Sequence, residues 1–372
     1  MRRSPIEETE ERIKYLGVSL EKAKNKSDDS ALDRERFNEF YNTSLALRLQ
    51  RDIATAWSLG QIMLIEAETG YGKNIAVKKM CAELGYEHYY VGLHGQTDVG
   101  HLMGSYIPNT DRKTKNDPEY IFAYGSVSRG LIQEEGKVKV IVLDNINAAP
   151  RRILIRLKEV LNAVEQNRTV TLTENASEQI HVDKEKTIII GLMNPSGGHY
   201  LGVNPLSPDL ITRFVYHLKL ESDVKARDNI RECIMASSGF PIETRITEKD
   251  YRISNYETLT TESCADIPGM EEITKKYIKF HVDAQKMLEK KELAATQVQQ
   301  IVFDDIREPG RIIAYVKRYF NGDISETFQN AIEFYYLPKL QSDEDREKLR
   351  NMIKDVQVKI KPPKSTNCEF NS

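Results

Sequence analysis

The sequence predicts an α/β chain, with a parallel sheet clad by helices over residues 34–220 and a second, mostly helical domain over 221–358. Three observations predict it. Between 61 and 220, short apolar runs alternate with stretches of helical periodicity, as in a sheet buried on both faces. A glycine-rich turn joins the first of those runs to a helix. After about Glu221 the strand pattern stops while helical spacing continues. At 372 residues the chain is about twice the usual length of one compact domain, so two packed units are expected.

Residues 1–33 are dense in charge of both signs, with thin periodicity at Ile13, Leu16 and Leu20. They read as a charged arm, either a frayed helix or a disordered segment, rather than a domain. From about Phe37 the spacing of Leu45, Leu49, Ile53 and Trp57 is helical, and Gly60 closes that helix. Runs at 62–65, 89–93, 138–143, 187–192 and 214–220 are the expected strands. Helices between them follow from Ile75, Met80, Cys81 and Leu84, and from Ile153, Leu157, Leu161 and Val164. Gly85 suits the residue after a helix and Pro150 a first helical turn. In the second domain 270–293 and 301–320 read as helices. The tail, 359–372, contains Pro362-Pro363 and reads as extended.

Hydrophobic residues make up 40% and charged ones 29%, with mean hydropathy −0.52, a globular composition with a polar surface. Lys+Arg 53 against Asp+Glu 56 leaves −3, which excludes a bulk cationic field for nucleic acid or an anionic membrane, though not a local basic patch. The longest apolar runs, such as 188–193, are far too short to span a bilayer. Met1-Arg2-Arg3-Ser4-Pro5 has no apolar signal core, and Cys81, Cys233, Cys264 and Cys368 have no CxxC spacing. Reduced thiols in a cytoplasmic protein are therefore expected. The histidines show no metal spacing, and no Ser-His-Asp or Cys-His arrangement stands out. The tyrosines, Tyr86, Tyr89, Tyr90, Tyr335 and Tyr336 among them, read as core or half-buried packing. Trp57 reads as a lid over the adjacent strand or an adenine edge.

The strongest local signal is Ala67-Glu68-Thr69-Gly70-Tyr71-Gly72-Lys73-Asn74, between an apolar run and an amphipathic helix. The phosphate loop GxxxxGK[ST] needs that context, because glycines let backbone N–H groups curl around phosphate oxygens at a helix N-terminus. Lys73 would reach the β- and γ-phosphates of ATP. Two positions depart from the pattern. Ala67 replaces the first glycine, tolerable if its φ is negative, and Asn74 replaces the Ser/Thr that contacts Mg²⁺. An amide oxygen can still ligate a hard cation. A Gly-rich turn that binds nothing is the competing reading of this segment taken alone.

The run 138–143 ends in Asp144-Asn145, the Walker B arrangement of a buried strand closed by an acid. Asp144 would hold Mg²⁺ through water; otherwise it is a solvated strand-end residue. The next position usually carries a glutamate that takes a proton from the attacking water, and here it is Asn145. An amide orients water but accepts no proton, and general-base help is worth about 10²–10⁴-fold, so slow hydrolysis is expected. Asn194 ends the run 187–192 and its Met193 extension, at the sheet edge where α/β ligands bind. It could orient the attacking water or form an Asx turn before Pro195.

The order of these motifs resembles the AAA+ ATPases, and within them the MoxR and dynein-related (midasin-like) branch. The run from His94 through Thr97-Asp98 to Leu102-Met103-Gly104 is similar to the branch's "TD…DLxG" segment. Leu143-Asp144-Asn145-Ile146-Asn147-Ala148-Ala149-Pro150 is similar to LDEINRAP, with Asn145 for Glu and Ala148 for Arg. Met193-Asn194-Pro195 matches the sensor-1 "NP", and Leu206-Ser207-Pro208-Asp209-Leu210-Ile211-Thr212-Arg213-Phe214 matches "LSPALxxRF". The resemblance implies an αβα core of the P-loop NTPase type, sheet order 5-1-4-3-2, a helical lid, and a ring with nucleotide at subunit interfaces. It implies Arg213 as a finger acting in trans and Arg311 as the sensor-2 arginine, with Arg307 competing. Segments 104–131 and 168–182 fall where the branch carries insertions, the second with a hairpin pattern at 169–172 and 179–182.

The expected activity is an ATP- and Mg²⁺-dependent remodelling or assembly ATPase with slow turnover, forming a homo- or hetero-oligomeric ring around an unidentified protein client. The other reading is a nucleotide-gated scaffold that binds ATP or ADP with essentially no turnover. A nucleic-acid motor has the least support, and no membrane partner is expected.

Overall fold

The computed structural model describes residues 6–8, 12–24, 37, 40, 42–68, 70–114, 116–196, 204–220, 224–240, 264–293 and 307–358. The expectations for Thr69, for 25–33 and for the tail 359–372 lie outside them, as does the side chain of Arg307.

The chain opens with strands β1 (Ile6–Glu8), β2 (Arg12–Tyr15) and β3 (Val18–Glu21), paired antiparallel in that order. Helix α1 (Ser44–Ser58) leads into β4 (Met63–Glu66), α2 (Lys73–Leu84), β5 (Glu87–Gly92) and α3 (Val99–Met103). A hairpin follows, β6 (Gly104–Pro108) with β7 (Tyr120–Tyr124), and then α4 (Ser126–Leu131), β8 (Lys139–Asp144) and α5 (Arg151–Glu165). A second hairpin, β9 (Thr169–Leu172) with β10 (Glu178–His181), precedes β11 (Thr187–Met193), α6 (Pro208–Ile211) and β12 (Tyr216–Lys219).

The five-stranded sheet has the order β12-β4-β11-β8-β5, and every neighbouring pair is parallel. Numbered along the chain, that is 5-1-4-3-2, the expected order. Side chains alternate between the two faces, as the strand period requires. Leu64, Ile141, Leu143 and Ile189 pack with Ile153, Leu157 and Leu161 of α5. Met63, Ile65, Val140, Val142 and Ile190 pack with Leu49 and Ile53 of α1 and Val77, Met80 and Cys81 of α2. The result is an αβα layer architecture.

The N-terminal segment corrects the helix-or-disorder expectation over its described part. Ile13 and Tyr15 are buried while Arg12 and Lys14 point out, a strand alternation, and Leu16-Gly17 turn the hairpin with φ of 48° and 82°. The i, i+3, i+7 spacing of Ile13, Leu16 and Leu20 imitates a helix because a two-residue turn intervenes. Ile13, Tyr15 and Leu20 join the core on the α1/α2 face. Tyr15 Oη lies 2.6 Å from both Gln50 Oε1 of α1 and Glu83 Oε2 of α2.

Smaller corrections concern boundaries. Thr43 caps α1 by accepting from the Ala46 N–H at 3.2 Å, so the helix starts at Ser44 rather than near Phe37. Pro150 is the N-cap of α5, one residue before its first turn. Gly85 ends α2 with φ 73°, as expected. Ile75 lies on the exposed side of α2. Trp57 is buried beside Tyr86, with ring centroids 5.8 Å apart, so it is a core residue.

The described residues divide into two compact units, one within 1–226 and the other in 227–242 with 257–372. The second unit contains α7 (Val224–Ser237, from residue 227), α8 (Met270–Glu289), α9 (Arg307–Tyr319), α10 (Ile324–Tyr336) and α11 (Asp343–Ile353). Its core joins Ile234, Ile273, Phe280, Ile312, Phe328 and Ile353. Among the described residues no helix is long and apolar enough to cross a membrane, and no cluster of His, Cys, Asp and Glu could hold a metal.

Candidate functional site: a lysine–carboxylate cluster at the strand ends

Strand register sets the site. In the parallel ladders Met193 pairs with Glu66, Leu192 with Asp144, and Gly92 with Asp144. The carboxyl ends of β4, β11, β8 and β5 are therefore level, and whatever follows each of them converges. The turn after β4 needs left-handed backbone twice, at Gly70 (φ 92°) and Gly72 (φ 75°). Ala67 keeps a negative φ and is fully buried, its N–H on Met193 O at 3.2 Å. Its methyl group therefore costs nothing in backbone strain.

Lys73, the first residue of α2, is almost fully buried. Its ammonium donates to the carbonyl of Ala67, to the carbonyl of Glu68 at 3.0 Å and to Asn194 Oδ1 at 3.0 Å. Burial lowers its pKa to about 8, against the opposing pull of Asp144, Glu68 and Glu66. Asn194 is held in turn: Asn147 Nδ2 donates to its carbonyl at 2.8 Å. Asn194 thus touches the lysine, a contact the Asx-turn reading did not require.

Asp144 closes β8 and collects three donors. Its Oδ2 accepts from Asn74 Nδ2 at 3.1 Å and from Tyr90 Oη at 2.7 Å, while its Oδ1 accepts from the Asn145 N–H at 3.0 Å. The Tyr90 phenol is pushed up to about 12, first by desolvation and then by this bond, so it stays a donor. Asn74 Oδ1 is buried and without a hydrogen-bond partner. An unpaired buried acceptor beside a carboxylate fits a hard divalent cation, which takes oxygen ligands. Asn145 follows with φ 55° and ψ 43°, left-handed backbone that asparagine tolerates better than most residues.

Arg213 lies apart from this cluster. Tyr216 of β12 pairs with Met63 of β4, so Arg213 precedes the amino ends of those strands while the loop 67–72 lies beyond their carboxyl ends. There Arg213 is partly exposed, Nη2 lies 3.7 Å from Asp209 Oδ1, and Nε is buried without a partner. Arg311 belongs to the helical unit, where its guanidinium meets Glu308 at 2.7 Å. Tyr90 and Asn147 were missed in the sequence. Tyr90 reads as packing until the sheet order sets β5 beside β8.

Residues 62–214 match the family described as "AAA domain (dynein-related subfamily)". A midasin from Giardia intestinalis is 24% identical over 233 residues, 54% of this chain. The match spans only 5% of that relative's length. A solved structure from Cytophaga hutchinsonii, described as a candidate ATPase, aligns over 85% of this chain and 97% of its own at 14% identity. Its TM-score is 0.36, too low for the likeness to bear on function. The fold and the strand-end cluster define an α/β core of the P-loop NTPase type. More narrowly, residues 62–214 are similar to the AAA domain of the dynein-related subfamily.

Proposed function

We propose that this chain binds ATP with Mg²⁺ at the loop 67–74 and acts as a slow, ring-forming remodelling or assembly ATPase on a protein client. The observation that carries the reading is the convergence of Lys73, Asn74, Asp144 and Asn194 on one turn at the sheet's carboxyl edge. Lys73 would give up a loop carbonyl for a phosphate oxygen, keeping Asn194 as its anchor. Asp144 and Asn74 Oδ1 would hold the cation. Magnesium, when bound, supplies positive charge against the β- and γ-phosphates. Asn194 stands where it could also orient water. Asn145 can orient water but cannot take its proton, which supports slow turnover and favours, as the second reading, a scaffold that binds ATP without hydrolysing it.

Arg213 at the opposite edge supports a finger given to a neighbour rather than to its own loop. Each subunit would then touch the next head-to-tail, an arrangement that closes into a ring or runs on as a helix. The client, the cytoplasmic setting and the sensor role of Arg311 are parts of the same proposal.

Calorimetry with ATP and Mg²⁺ tests the binding. Lys73→Ala should weaken it strongly, and no binding by the native chain at millimolar ATP would overturn the reading. Light scattering with a non-hydrolysable analogue tests the assembly. Arg213→Ala should lower the particle mass toward the monomer, and a native chain that stays monomeric would remove the ring.

A further inference from the structure

Tyr90 is an exposed aromatic residue of β5, the strand paired with β8. It is 41% exposed, yet its hydroxyl is committed inward, to Asp144 Oδ2 at 2.7 Å. Its ring is steadied by His88, stacked at 6.2 Å between centroids, and by Lys78 Nζ 5.0 Å from the ring centre. Burial, with Lys78 nearby, lowers the His88 pKa to about 4, so the imidazole is neutral at physiological pH.

A carboxylate offers about four lone-pair positions. At Asp144 three are taken: two on Oδ2, by Tyr90 and Asn74, and one on Oδ1, by the Asn145 backbone. A half-buried carboxylate without a cation needs such donors, because leaving it unpaired is costly. The same donors compete with a cation or its hydration water for this carboxylate, most directly at Oδ2. Asn74 can turn from donor to ligand because its amide carries both kinds of atom. Turning Asn74 opens one position on Oδ2; the other stays occupied until the Tyr90 hydroxyl gives up its bond.

We infer that Tyr90 is a latch on Asp144, a positioning residue that competes with the divalent cation and so raises the magnesium concentration at which nucleotide is held tightly. The inference rests on the proposed ATP site and adds to it a magnesium threshold. Tyr90→Phe removes the competing hydrogen bond while keeping the ring against His88 and Lys78.

The test is calorimetric titration of the full chain with ATP, in EDTA and at stepped MgCl₂ concentrations. The native chain and Tyr90→Phe are compared alone and in an Asp144→Asn background. The variant should lower the magnesium concentration for half-maximal tightening by about tenfold, the low end for a hydrogen bond to a charged group because the phenol is partly exposed. A purely structural role would weaken ATP binding alike in EDTA and in magnesium. An unmoved or higher half-point overturns the latch while leaving ATP binding intact. A shift that persists with Asp144→Asn also overturns it, since the effect would not pass through that carboxylate. A native chain that binds no ATP under any condition overturns both the latch and the proposed function.

Discussion

Replacing Asn145 by glutamate would supply the proton acceptor that the proposed site lacks, but the structure attaches a cost that the motif alone does not reveal. Asn145 holds φ 55° and ψ 43°, with its N–H on Asp144 Oδ1 at 3.0 Å. Left-handed backbone costs an ordinary L-residue roughly 1–2 kcal/mol, and asparagine partly escapes that cost. Asn145→Glu should therefore destabilise the first unit by about 1 kcal/mol, a fall in Tm of about 2–4 °C for a unit of this size. Against that stands a general base worth about 10²–10⁴-fold. Phosphate release at saturating ATP and Mg²⁺ should rise at least about tenfold, equivalent to roughly 1.4 kcal/mol off the barrier. Asn145→Gln separates the two effects: it should share the thermal loss without the gain in rate. A folded Asn145→Glu chain that binds ATP yet turns over no faster would refute the reasoning. The limit would then lie elsewhere, in Asn74 or in the placement of Arg213.

Two further outcomes follow from the same structure. Lys73 has an ordinary pKa of 10.5 and a folded value of about 8. Between those values the unfolded chain holds more protons, so this group makes stability rise with pH there and adds no slope below about pH 8. Phosphate needs the ammonium, so ATP affinity should fall as pH rises above about 8, and binding near pH 8–9 should take up a proton. Calorimetry in two buffers of different ionisation enthalpy measures that uptake, and its absence would contradict the burial of Lys73. Gly130 of α4 lies against β8, where an added Cβ would fall 2.4 Å from Ile141 Cγ1. Gly130→Ala should cost about 1–3 kcal/mol by overpacking, despite better helix propensity. Urea unfolding with an unchanged slope measures that loss, and a neutral result would mean Ile141 yields freely.

Much of the core was legible in the sequence because its signals are local. Five apolar runs, the glycines of the turn and an acid closing the third run each reflect chemistry within a few residues. The strands observed at Met63–Glu66, Lys139–Asp144 and Thr187–Met193 differ from the expected runs by a residue at their ends. The left-handed φ at Gly70 and Gly72 is what a tight strand-to-helix turn demands, whatever surrounds it. The N-terminal sheet was not legible, because Ile13, Leu16 and Leu20 satisfy a helical spacing as well as a hairpin. Burial of Ile13 and Tyr15 against α1 and α2 decides between them.

Sequence by itself determined the α/β class and singled out Lys73, Asp144 and Asn145 of the candidate site. Only the tertiary structure decided what those groups touch. Lys73 meets Asn194 across 121 positions, and Asp144 meets Asn74 and Tyr90 across 70 and 54. The reason is topological. In a parallel sheet the chain crosses over between strands, so level carboxyl ends gather residues that no local pattern relates. Tyr90 carries a hydroxyl that the sequence offers to core, solvent or partner alike, and the order β8-β5 alone sets it on the aspartate.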